Sequence, residues 1–144
     1  MRFMILVKAT PQSEAGEFPA DKERLFAEMA EYHEQLAAAG VLLDASGLQP
    51  SSKGWRIRYE GGRRTVIDGP FAETKELVAG YTLIQARSRE EALEWSRRFP
   101  SPHPDQAACE IEVRQLYELE DFEGIEAIDR FRELGVDGRQ EVSS

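Results

Sequence analysis

Cysteine is almost absent from this sequence of 144 residues, and basic residues are outnumbered by acidic ones. A single cysteine, Cys109, excludes an internal disulfide and favours a cytoplasmic location. We expect it to open a strand and to be unreactive. The formal net charge of −9 argues against nucleic-acid or anionic-membrane partners, because each needs a basic surface. The apolar run after Met1 is too short for a signal peptide or a membrane span.

Metal-binding residues are scarce as well. The chain has two histidines, His33 and His103, and neither a His-x-His pair nor a second cysteine. A metal site needs three or four converging ligands, so we predict no metal and no cofactor. His103 lies between two prolines in a predicted loop, where a structural role is expected. The glycines of 60–63 predict a hairpin turn, not a phosphate loop, because no helix follows them.

The apolar residues follow a clear order of strand and helix periods. This order is strand, helix, strand, hairpin, strand, helix, strand, which predicts an α+β, ferredoxin-like split βαβ fold with an extra hairpin. The predicted strands are 2–9, 41–48, 55–59, 65–68, 78–86 and 111–115, and the predicted helices are 21–39 and 88–99. Residues 1–117 would form one domain, and 118–144 an acidic tail with an amphipathic helix over 122–134.

The sheet strands are apolar on both sides, as "FMILV" and "VAGYTLI" show. Helices can cover only one face of such a sheet, and the other would expose a large apolar patch. We therefore predict a homodimer whose two sheets pack face to face, giving a dimeric α+β barrel.

The first hairpin strand alternates apolar and charged residues, which is typical of a half-buried strand. Trp55, Ile57 and Tyr59 are expected on the buried side, and Arg56 and Arg58 on the other. An arginine that faces a cavity would pair with an acidic side chain or with an anionic ligand.

Asp68 ends the second hairpin strand and is followed directly by Gly69 and Pro70. This pair stops strand pairing and fixes the carboxylate in place. The carboxylate could then act as a general base or orient a ligand hydroxyl. Alternatively, it caps its own turn by accepting backbone N–H bonds. The sequence leaves both interpretations open.

His33 lies at the edge of the apolar stripe of the first helix, where it could face a cleft and titrate near neutrality. It could equally be a half-exposed residue bonded to water or to a glutamate. The residues after Asp68 form either a solvated loop or the mouth of a site anchored by Phe71. The candidate catalytic residues are Asp68 and His33, and the candidate ligand-binding residues are Arg58, Gly69, Pro70, Phe71, Glu73 and Lys75.

Two long motifs carry a resemblance to a known family. "GLQPSSKGWRIR" followed by "DGPFAETKE", with "IEVRQLYELEDFE" near the end, resembles the DGPF-domain group of YCII-related proteins. The resemblance implies a dimeric α+β barrel. Related YCII proteins are regarded as enzymes that use a His-Asp pair, and one relative is a dehydrochlorinase. Genes of the DGPF group often lie beside genes that encode extracytoplasmic-function sigma factors. This chain departs from the smaller YCII proteins, because Met29 replaces their helix histidine and "RRFPSP" lacks their aspartate.

Two functions follow from these observations. The first is a small-molecule-binding protein that acts as a cofactor-independent acid/base enzyme of lyase, isomerase or dehydrochlorinase type. Asp68 would be its base, His33 its acid and Arg58 its anion holder. The second is a non-catalytic ligand-binding or regulatory module linked to sigma factors. The sequence does not decide whether the protein is an enzyme.

Overall fold

The structure is a computed structural model that describes residues 1–106 and 108–136. Its elements follow the predicted order, with one short helix added after β1. They are β1 (Arg2–Lys8), α1 (Pro11–Glu14), α2 (Lys22–Ala38), β2 (Leu42–Gly47), β3 (Trp55–Glu60), β4 (Arg63–Asp68), β5 (Val78–Gln85), α3 (Arg89–Arg97), β6 (Ile111–Gln115) and α4 (Ile128–Glu133). Single 3-10 turns lie at Ser51–Lys53, Thr74–Glu76 and Leu119–Phe122.

Four strands form the main sheet, in the order β2-β5-β1-β6, and all neighbours are antiparallel. The two apolar strands, β1 and β5, occupy its centre, and the more polar β2 and β6 form its edges. Strands β3 and β4 pair only with each other, as a separate two-stranded hairpin. The predicted α+β class with an antiparallel sheet is confirmed.

Helices α2 and α3 pack on one face of the main sheet. Asp21 and Ser88 cap their N-termini, and each side chain accepts a hydrogen bond from the backbone N–H three residues further on. The core between the helices and the sheet consists of Phe3, Ile5, Tyr32, Leu36, Val41, Ile84, Ala86 and Ala92. Apolar side chains also lie on the other face of the sheet, because successive strand residues alternate between faces. There Met4, Leu6, Tyr81 and Leu83 are half-buried.

The hairpin differs from its prediction. The turn is as expected, because Gly61 and Gly62 both adopt positive φ angles. Yet the expected burial of one side of β3 is wrong for the single chain. Trp55 is 64% exposed, Ile57 45% and Tyr59 68%, since no other element of the described chain packs against that side. Val66 of β4, opposite Ile57, is 63% exposed.

The C-terminal segment also departs from its prediction. The expected helix over 122–134 begins only at Ile128, because Gly124 has a φ of +88° that a helix does not allow. Arg2 anchors the start of the segment through an ion pair with Glu118 at 3.1 Å. Residues 137–144 of the predicted acidic tail lie outside the described residues.

Cys109 lies before β6 instead of opening it, because that strand begins at Ile111. Its thiol is exposed and lies 3.4 Å from the Ser101 hydroxyl. His103 is buried in its loop, where Nε2 lies 3.1 Å from the Lys8 carbonyl oxygen. Across residues 1–106 and 108–136, no helix combines the length and the apolar character that crossing a membrane would require.

Candidate functional site around Asp68

The backbone after Asp68 is held tightly against the segment that precedes the hairpin. Gly69 donates its N–H to the Gly54 carbonyl at 3.0 Å, and the Gly69-Pro70 peptide bond is cis. A Cβ atom at Gly69 would lie 1.9 Å from the Ser51 carbonyl oxygen. Glycine is therefore required here by the close approach of two backbones.

Ser51 ties this turn to a third part of the chain. Its Oγ accepts the Phe71 N–H at 3.0 Å and donates to a carboxylate oxygen of Glu14. The other Glu14 oxygen accepts the Ser51 N–H at 3.0 Å. The Ser51 hydroxyl thus connects the Pro50-Ser51 segment of the first motif with the DGPF segment, residues 68–71. Sequence reasoning noticed the first motif without giving Ser51 a role, and no local pattern points to Glu14.

Phe71 is half-buried, as the predicted anchor of the turn should be. The Arg56 guanidinium lies over its ring, 3.8 Å from the centroid. Such stacking holds an arginine in place while its charge stays in contact with water. Glu73, the N-cap residue of the following 3-10 turn, and Lys75, which lies within it, are both exposed.

The Asp68 side chain contrasts with its fixed backbone. It is exposed, and no residue in the described part of the chain donates a hydrogen bond to it or pairs with it. The interpretation that Asp68 caps its own turn is therefore wrong, because the turn is closed by Gly69, Phe71 and Ser51 instead. Among the described residues, the Asp68 carboxylate therefore stays free while the backbone that follows it is fixed.

The pairing register separates Asp68 from Arg58, the predicted anion holder. Asp68 lies opposite Trp55, and Arg58 lies opposite Thr65. Because side chains alternate along each strand, Arg58 lies on the opposite face of the hairpin from Asp68. The basic residue that shares the face of Asp68 is Arg64, which sequence reasoning did not select.

His33 is placed by contacts on the helical side of the main sheet. Its Nδ1 donates to the Met29 carbonyl at 2.7 Å, and its Nε2 lies 2.8 Å from the hydroxyl of the buried Thr82. The rings of Tyr32 and Phe99 lie beside it. None of these contacts leads to Asp68, so the described chain does not bring the two predicted catalytic residues together. The expected water or glutamate partner of His33 is replaced by Thr82.

Asp68 does not line either of two cavities found in the described chain. One of about 440 Å³ is lined by Pro19, Asp21 and Arg24, among others, and by the loop at Pro104. Another of about 410 Å³ is formed by residues of the C-terminal segment. Among the described residues, no group of three or more histidine, cysteine, aspartate or glutamate side chains could hold a metal ion.

Ser51→Ala is expected to lower the free energy of unfolding by about 1–3 kcal/mol, because it leaves the Phe71 N–H and a Glu14 oxygen without their partner. Urea denaturation followed by tryptophan fluorescence measures this loss. Ser52→Ala is the matched control, since Ser52 is the exposed neighbour and makes no side-chain hydrogen bond in the described chain. Equal stability of the two variants would contradict a structural role for the Ser51 hydroxyl.

An antiparallel sheet with two helices on one face defines a small α+β protein. The chain belongs to the YCII-related domain family, whose family model matches residues 1–119. An uncharacterised protein of Rhizobium meliloti (strain 1021) is 32% identical over 97 residues, which span 67% of this chain and 78% of the relative.

A solved structure is also similar to this chain. It is the 5-chloro-2-hydroxyhydroquinone dehydrochlorinase of Burkholderia phenoliruptrix AC1100, in complex with 2,5-dihydroxybenzoquinone. The match covers 82% of this chain and 95% of the dehydrochlorinase, at 15% identity and a TM-score of 0.43. A similarity at this level does not indicate the function of this chain.

Proposed function

We propose that this protein binds a small molecule at Asp68 and acts on it as a cofactor-independent acid/base enzyme, with Asp68 as the general base. One observation carries the proposal. The backbone around Asp68 is locked by Gly69, Ser51 and Phe71, while the carboxylate itself has no partner in the described chain. A turn that served only the fold would gain stability by capping itself with that carboxylate.

The chemistry follows from the group that is left free. An ionised carboxylate can accept a proton from a carbon acid or a hydroxyl group within hydrogen-bond reach. Positioning it on a rigid turn lowers the entropic cost of reaching the reactive geometry. Such a proton transfer begins the lyase, isomerase and dehydrochlorinase reactions that pass through a carbanion or enolate, and the proposal is limited to this class.

We also propose that the chain belongs to the DGPF group and has a ferredoxin-like fold. Its working form would be a homodimer in which two such subunits form an α+β barrel. The strand order β2-β5-β1-β6 supports the ferredoxin-like topology. The apolar residues Met4, Leu6, Tyr81 and Leu83, on the face away from the helices, support packing of two sheets. We expect the second subunit to enclose the space beside Asp68, whose side chain is exposed in the described chain.

A second candidate is a non-catalytic ligand-binding or regulatory module. One observation favours it, because both nitrogens of His33 are engaged within the chain and do not reach Asp68. Under this alternative the site would bind a ligand through Asp68 and the exposed Glu73 and Lys75 without transferring a proton.

The experiment screens small carboxylates and phenols for binding by NMR, and then tests each binder for exchange of carbon-bound hydrogen in D₂O. The enzyme proposal predicts exchange that Asp68→Asn slows at least about 100-fold. Glu60→Gln is the matched control, because it removes the same charge at the other end of the hairpin and should exchange normally.

Each result separates the two candidates. Binding that depends on Asp68 without any exchange would support the non-catalytic module. Binding and exchange that persist in Asp68→Asn would overturn both candidates at this site.

A further inference from the structure

The β3–β4 hairpin presents an apolar face that residues 1–106 and 108–136 leave uncovered. The face carries Trp55, Ile57 and Tyr59 from β3 and Val66 from β4, and each is at least 45% exposed. Four large apolar side chains on one side of a two-stranded ribbon form a patch that soluble proteins rarely leave in water. A covering partner is therefore required.

Charge at the two ends of this face indicates what that partner is. Asp68 lies beside Trp55 at the base of the hairpin, and Arg64 lies beside Tyr59 at its tip. In the described chain neither Asp68 nor Arg64 has an ion-pair partner, and Arg64 only lies over the Tyr59 ring, 5.1 Å from its centroid. One end of the face is thus acidic and the other basic, with apolar residues between them.

We propose that the hairpins of two copies of this chain pack face to face and antiparallel about a two-fold axis. If the axis crosses the Ile57–Val66 pair, the base of each hairpin meets the tip of the other. Asp68 then faces Arg64 of the partner subunit, and Trp55 faces the partner subunit's Tyr59. Ile57 and Val66 face their own copies. A two-fold interface must be complementary to itself, and this face fulfils that condition in charge and in apolar contact.

This arrangement completes the candidate site, and in that respect it rests on the proposed function. Arg64 of the partner subunit supplies the cation beside Asp68 that Arg58, on the opposite face, does not supply. A guanidinium there can hold an anionic group of a ligand beside Asp68 by a bidentate contact. The ligand class that fits is a small organic anion with an acidic C–H or O–H group.

The hairpin contact is small and needs a second contribution. A strand of six residues is about 20 Å long, so a two-stranded ribbon covers much less than the roughly 800 Å² that each partner buries in a stable interface. The apolar sheet face at Met4, Leu6 and Leu83 provides the remainder in the same dimer.

Cross-linking tests the geometry without any ligand. In a Cys109→Ser background, Ile57→Cys places one thiol per chain at the proposed axis. Facing strands of packed sheets are about 10 Å apart, too far for a disulfide, so a short bis-maleimide is the reagent. Ile57→Cys is expected to form covalent dimers at least about tenfold faster than Thr65→Cys, which lies on the opposite face of the hairpin. Equal rates would overturn the proposed packing.

Variants that reverse the charge at residue 68 or 64 test the pairing of Asp68 with Arg64 of the partner subunit. Arg64→Asp and Asp68→Arg are each expected to weaken dimerisation at least about tenfold in sedimentation experiments over a dilution series. The double variant Asp68→Arg with Arg64→Asp restores opposite charges and should return to within about threefold of the original dissociation constant. Arg63→Asp, on the other face, controls for net charge. A double variant weaker than both single variants would overturn the pairing.

Different results would overturn the paired hairpins and the proposed function. Rapid cross-linking at Ile57→Cys without Asp68-dependent ligand binding would retain the paired hairpins and remove the proposed function. Ligand binding that needs Asp68 but persists unchanged in Arg64→Gln, together with slow cross-linking, would retain the function and remove the paired hairpins.

Discussion

Gly69→Ala is expected to lower the free energy of unfolding by about 3 kcal/mol or more, near the upper end for an overpacked site. The added Cβ would lie 1.9 Å from the carbonyl oxygen of Ser51 and 2.7 Å from its carbonyl carbon. Neither atom can move as a flexible side chain would, because both belong to the backbone. The hairpin must therefore separate from the Ser51 segment, which also weakens the bond from the Gly69 N–H to Gly54.

Urea denaturation followed by tryptophan fluorescence is the measurement, and Gly47→Ala is the matched control. Gly47 lies in the edge strand β2, where an added Cβ would meet no atom within 4 Å. Its substitution should change the free energy of unfolding by no more than about 0.5 kcal/mol. If both glycine variants unfold alike, the close approach of Gly69 to Ser51 does not exist in solution.

The main sheet and its helices could be predicted from the sequence because their signals are local. Apolar periods of two and of about 3.6 residues identify strands and helices, and Asp21 and Ser88 mark the helix starts. The hairpin alternation correctly separated Trp55, Ile57 and Tyr59 from the arginines. It could not reveal that no element in the described part of the chain covers the apolar side, because burial depends on distant elements and on other subunits.

The candidate site was predicted less completely, for two physical reasons. The contact of Ser51 with Glu14 joins residues far apart in the chain, and no residue period encodes such a contact. The opposite faces of Asp68 and Arg58, in contrast, could have been deduced. A two-residue turn at Gly61 and Gly62 fixes the register of the hairpin, and counting outward from it places Asp68 beside Trp55.

Tyr32→Phe is expected to reverse its effect on stability between neutral and strongly alkaline pH. The Tyr32 hydroxyl is buried in the core and donates a hydrogen bond of 2.7 Å to the Trp95 carbonyl. Burial, opposed only in part by the nearby Arg98 charge, raises the pKa of Tyr32 from 10.0 to about 12. Removing the hydroxyl at pH 8 should cost about 1 kcal/mol, because the Trp95 carbonyl loses its donor.

The difference in stability between the variant and the native protein changes sign because Tyr32 keeps its proton to a higher pH in the folded chain than in the unfolded chain. A raised pKa contributes stability that is fully present below pH 10 and is lost as the pH rises from 10 to about 12. This loss amounts to about 2 kcal/mol for the native protein at pH 12 and does not occur in Tyr32→Phe. Urea denaturation at intervals from pH 8 to about 12 should show the native protein more stable at first and the variant more stable at the end.

Tyr117→Phe controls for the removal of a phenol hydroxyl from the surface, because Tyr117 is 75% exposed and its hydroxyl makes no hydrogen bond in the described chain. A constant difference between Tyr32→Phe and the native protein would instead mean that the Tyr32 phenol titrates alike in the folded and unfolded chains. The buried contact between α2 and α3, through which Tyr32 reaches the Trp95 carbonyl, would then be open to water.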